Sequence, residues 1–150
     1  MSLYSVALFV HIVGAMLLMV LLALEGFTLR RGMAATRLNR VLGPISLVAI
    51  LVPGFYMAAQ IGWRPWTAVG LAAYAIIAVA GAYTGVNVSR GRMSVTAATV
   101  SWLARTGVAL AVVFDMTVKP DVAGSIAAVV VGVGLALAVA VPALRVVRPA

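Results

Sequence analysis

The chain has 150 residues, 65% of them hydrophobic, with 11 basic side chains against 3 acidic ones, a single histidine and no cysteine. A soluble domain needs about a quarter of its residues charged to cover its surface; here 9% are charged and the mean hydropathy is +1.18, which excludes a soluble fold. The absence of cysteine excludes disulfides, iron–sulfur clusters and thiolate chemistry, and one histidine with three carboxylates falls short of a closed zinc site in one chain.

The first apolar run, Leu3 to Leu29, is long enough to cross a bilayer. It has no basic leader and no A-x-A cleavage site, so it is expected to stay as a membrane helix. Its only groups able to carry charge are His11 and Glu25. At 100° per residue, His11, Gly14, Ala15, Leu18, Leu22 and Glu25 share one face. A face with two polar and two small residues suits other helices better than lipid. The second span is expected over about Val41 to Ile61, with Pro44 in its first turn and Pro53 mid-span, where proline disturbs the helix. Gly62-Trp63-Arg64-Pro65-Trp66 follows as a short connection at headgroup level.

The third span, about Trp66 to Val86, carries Gly81 and Gly85 as a small-x-x-x-small pair, for internal packing or a dimer contact. Ser94 to Trp102 is rich in Thr, Ser and Ala and fits either the interface or an extension of the fourth span. Trp102 to Lys119 covers roughly 27 Å, just enough to cross. It places Arg105 about one turn inside one boundary and Asp115, Met116 and Lys119 at the other. Pro120 stops the helix, and Asp121 is placed to cap an uncharged fifth span, Val122 to Leu144. No internal repeat points to an inverted-repeat transporter.

The net charge of +8 reads as topology. Arg30, Arg31, Arg37, Arg40, Arg90, Arg92, Arg145 and Arg148 fall in one set of connections, and the alternate ones hold only Arg64 and Lys119. That is a positive-inside pattern, which makes anionic lipid headgroups the expected partner and not nucleic acid. The expectation is an all-α polytopic transmembrane bundle of about five helices. It forms one domain over residues 1–150, in a bacterial cytoplasmic membrane, with its N-terminus outside and its C-terminus cytoplasmic.

Two motifs carry a resemblance. Phe9-Val10-His11-Ile12-Val13-Gly14, leading to Leu22-Ala23-Leu24-Glu25, resembles the first helix of a family of small bacterial integral membrane proteins of unknown function. Met116-Thr117-Val118-Lys119-Pro120 fits the same family. That family is distantly similar to the copper-resistance D proteins and to the membrane protoporphyrinogen oxidase. The resemblance implies His11 as an axial ligand of haem b, with Lys119 as a weaker candidate. The tryptophan of those relatives' first-helix motif is replaced here by Leu17 or its neighbours.

The polar residues admit several roles. Haem needs only one or two protein ligands, and Met57 and Met116 lie at depths comparable with His11, so a His/Met site for haem or Cu(I) is geometrically open. His11 can equally be a buried histidine bonded to a neighbouring helix, towards Tyr56, Met57, Gln60 or Asp115, or a proton relay. Glu25 and Arg105 sit at matched depth, and pairing removes the cost of an unpaired intramembrane arginine, about 3 kcal/mol at the bilayer centre. Asp115 can neutralise Lys119 at i+4 or orient His11. No P-loop, G-x-S-x-G, H-E-x-x-H or Rossmann fingerprint is present. A structural or accessory role is therefore expected ahead of turnover. A haem- or copper-binding redox or transport protein, or a proton- or ion-conducting oligomer, stands as the alternative. The expected partners are the bilayer itself and either a second copy of the chain or another membrane protein.

Overall fold

The computed structural model describes residues 2–30 and 37–146. Among them are five helices: α1 (Leu3–Arg30), α2 (Arg37–Ile61), α3 (Pro65–Ser89), α4 (Val95–Val118) and α5 (Val122–Val146). Each is long and apolar enough to cross a membrane, which makes the chain a multi-pass membrane protein. The connection expected at the cytoplasmic face, residues 31–36, and Arg148 lie outside the described residues.

The helix ends follow local chemistry. Gly62 at φ +82° turns the chain from α2 into α3, which starts with Pro65 at its first position. At the other end of α3, Gly91 at φ +66° donates to the Val88 carbonyl and Arg92 donates to Asn87, a Schellman closure. The Ser94 hydroxyl accepts from Ala97 N–H and caps α4, while Asp121 Oδ1 accepts from Gly124 N–H and caps α5. Lys119 takes the left-handed conformation at φ 54° to end α4 before Pro120.

Two boundaries differ from expectation. α2 begins at Arg37, so Pro44 lies inside the helix, not in its first turn. Of the Ser94–Trp102 stretch, which fitted either the interface or an extension of the span, Val95–Trp102 extends the helix behind the Ser94 cap and makes Arg105 a mid-helix residue, roughly 15 Å from the start of α4. It earns its place in the bundle: Ala98 is fully buried, and the Ser101 and Thr84 hydroxyls share a 2.7 Å hydrogen bond between α4 and α3.

α4 is the hub, packing on α1, α3 and α5, and α1 pairs along its length with α2. The mid-bundle core joins Leu22, Ala73, Ile77, Val108 and Ala109. Backbones cross most closely at Gly107 and Gly132, where a Cβ on Gly107 would come within 2.4 Å of the Gly132 carbonyl oxygen. Gly14 meets α2 in the same manner, 2.9 Å from the Ala49 Cβ. Between α2 and α3 there is almost no contact, and that gap positions the site.

The bundle has two chemically distinct ends. The Arg30 end gathers the end of α1, the start of α2, and Arg90 and Arg92; the Leu3 end holds Arg64 and Lys119.

Candidate functional site

The gap between α2 and α3 is a cleft of about 450 Å³ towards the Arg30 end. Leu18, Leu21, Leu22, Leu47, Ile77 and Ala82 supply its apolar walls. Its polar side comes from Glu25, Arg105, Asn39, Arg40 and Ser89. Mostly apolar walls with a few placed polar groups are what small-ligand sites share, and the volume falls in their usual range. Gly43 and Gly85 keep the cleft wide, since a Cβ at either would meet nothing within 4 Å.

Glu25 and Arg105 form the floor. Arg105 Nη1 donates to Glu25 Oε2 at 2.9 Å and Nη2 to Oε1 at 2.5 Å, a bidentate ion pair between α1 and α4. Arg105 is 5% exposed and Glu25 7%. Gly81 makes room for this arginine, its missing Cβ position lying 3.1 Å from Nη1. Neither Gly81 nor Gly85 therefore serves a close backbone crossing. Trp102 locks the pair from the side: its Nε1 donates to the Leu22 carbonyl at 2.7 Å, and its ring fills the space a side chain at Gly26 would need. Arg105 Nε and Asn39 Oδ1 are buried with no hydrogen-bond partner among the described residues.

His11 sits elsewhere, between α1 and α2. Its Nδ1 donates to the Ile50 carbonyl at 2.8 Å, and its ring lies against Gly54, 3.3 Å from where a Cβ would begin. Pro53 lies in the same stretch of α2 and leaves the neighbouring Ala49 carbonyl without its helical N–H donor, whereas the oxygen that His11 uses is that of Ile50. The partner is thus a backbone carbonyl, not Tyr56, Gln60 or Asp115. One turn away, the Ser46 hydroxyl donates to the Gly14 carbonyl at 3.1 Å and completes this seam.

Compared with protein families, curated proteins and solved structures, the chain matches none. None of these comparisons supports the resemblance to the copper-resistance D proteins or the protoporphyrinogen oxidase.

The two cavities described here do not make a haem site with His11. The Nδ1 bond leaves Nε2 with a lone pair, as an axial ligand requires, but neither the α2–α3 cleft nor the apolar recess at Val10, Ile45, Val48 and Val52 is lined by His11. Of the other candidate ligands, Met116 and Lys119 have different neighbours. Met57 is buried on α2; Met116 packs on Gly70 of α3. Lys119 Nζ lies over the Trp66 ring, 5.7 Å from its centroid. No group of three or more His, Asp or Glu side chains able to hold a metal occurs among the described residues.

Asp115 departs furthest from expectation. Its side chain bonds neither Lys119 nor His11, the residue is 1% exposed, and both carboxylate oxygens lack a partner among the described residues.

Proposed function

We propose that this chain is an accessory protein of the bacterial cytoplasmic membrane that binds an anionic amphiphile, a phospholipid, in the α2–α3 cleft. The observation that carries the reading is the buried Arg105 guanidinium lining the cleft with Nε unpartnered. Arg40 stands exposed on the same cleft, so its guanidinium and the Asn39 carboxamide join the Glu25–Arg105 pair at the polar end, with Arg40 supplying the unpaired positive charge, while acyl-compatible walls run away from it. The cleft opens between two helices that barely touch, a route open to a lipid from the side. The Arg30 end is then the cytoplasmic one, in keeping with its basic residues.

Binding fits better than turnover. Glu25 is the one carboxylate on the cleft, and both its oxygens are held by Arg105, which leaves no free general base there. The test compares thermal stability in nanodiscs of phosphatidylglycerol and of phosphatidylcholine. The anionic lipid should stabilise the wild type more, and Arg40→Gln should remove much of that difference. Equal stability of the wild type in both lipids would refute the reading.

A further inference from the structure

We infer that the Leu3 end of the bundle holds a binding site for one sodium ion, built on Asp115 with Thr67 and Ser125. It is separate from the cleft and does not depend on it.

Three polar side chains from three helices are buried there without partners among the described residues. They are both carboxylate oxygens of Asp115 in the last turn of α4, Thr67 Oγ1 in the first turn of α3, and Ser125 Oγ in the first turn of α5. Asp115 is 1% exposed and Ser125 0%. The packing brings these turns together. Asp115 Oδ2 lies 4.0 Å from where a side chain at Gly70 would begin, and Thr67 is one turn from Gly70 on α3. α4 and α5 cross at Gly107–Gly132 and Ala111–Gly132. Continued outward, that antiparallel register sets Asp115 opposite the first turn of α5, where Ser125 sits.

A buried carboxylate with no hydrogen bond and no countercharge calls for an explanation. The nearest cation by sequence, Lys119, is committed to the Trp66 ring. All the donors on offer are hard oxygens: one carboxylate, two hydroxyls and the carbonyls left without helical donors in the last turn of α4. Hard oxygens select alkali and alkaline-earth cations over soft metals, and a single carboxylate balances a single positive charge. The space is tight, with the Met116 methyl pressed onto Gly70, which favours sodium over the larger potassium.

Trp66, next to Thr67 and beneath Lys119, is a built-in reporter. Purified protein in detergent is titrated with sodium chloride against N-methylglucamine chloride at constant ionic strength and fixed pH. Tryptophan fluorescence and the unfolding temperature are followed. The expected result is a saturable, sodium-specific change in both, with potassium weaker. Asp115→Asn should abolish it, and Ser125→Ala and Thr67→Val should each raise the half-saturating concentration at least fivefold. A wild type that responds alike to sodium and N-methylglucamine overturns the proposal, as does a response that survives in Asp115→Asn. If Asp115→Asn does not fold, Ser125→Ala decides, and an unchanged half-saturation there overturns it.

Discussion

Removing one partner of the Glu25–Arg105 pair is the sharpest perturbation the bundle offers. Glu25→Gln leaves a guanidinium that is 5% exposed with no countercharge, between α1 and α4. Breaking a buried pair from one side costs about 3–5 kcal/mol, because the remaining charge is stranded in a low dielectric. Arg105→Gln strands the carboxylate and should cost a similar amount. The double variant, Glu25→Gln with Arg105→Gln, strands no charge between α1 and α4. Its loss should be close to that of an ordinary hydrogen bond, about 1 kcal/mol. It should therefore be more stable than either single variant, with a coupling energy of about 2 kcal/mol or more. Denaturation in mixed detergent micelles, followed by the fluorescence of Trp102 in a Trp63→Phe, Trp66→Phe background, reads this directly, since that indole bonds the Leu22 carbonyl at the same helix contact. Losses in the single variants that add up in the double to within about 0.5 kcal/mol would refute the reasoning.

Other outcomes follow from the same packing. Gly107→Ala should destabilise by more than about 3 kcal/mol, because its Cβ would meet the Gly132 backbone and no rotamer relieves that; Gly134→Ala, with nothing within 4 Å, should be neutral or stabilising by up to about 1 kcal/mol. Equal effects in the same unfolding assay would show that the α4–α5 crossing is not as close as described. His11→Leu should lower stability by about 1–3 kcal/mol through loss of the Ile50 bond, and the wild-type absorbance spectrum should show no Soret band; a Soret band that disappears in the variant would restore the haem role. The chain has no cysteine, so single cysteines at Trp63 and Gly91 report topology cleanly: position 63 should react with an impermeant reagent from outside cells and position 91 should not.

Much of this fold is legible in the residues, because a lipid-spanning segment must satisfy its backbone as a helix and be apolar over its length. The face of α1 through His11, Gly14, Leu22 and Glu25 is turned inward as its polar pattern requires. The fourth segment is harder to bound by eye. Its hydroxyls lower its apparent hydrophobicity yet are satisfied within the bundle, as when Thr99 donates to Val95 or Ser101 meets Thr84. The partner of His11 cannot be read from side-chain types, since it is the backbone oxygen of Ile50. The i, i+4 spacing of Asp115 and Lys119 allows a pair, but the capping of α4 by a left-handed Lys119 sends that side chain to Trp66. The cleft is the least legible feature: it arises because α2 leans on α1 and α3 on α4, leaving α2 and α3 apart. Gly43, Gly81 and Gly85 are its only trace in the sequence, and small residues usually signal close packing instead.

The cleft is therefore best tested by filling it. Gly85→Leu places a side chain into open space and should leave lipid-free stability unchanged or raised by up to about 1 kcal/mol, since leucine favours the helix. The decisive measurement is native mass spectrometry of wild type and Gly85→Leu purified in mild detergent, with the retained lipid quantified. The wild type should keep a stoichiometric anionic phospholipid that the variant loses while remaining folded. Equal retention by both proteins would contradict a ligand site between α2 and α3.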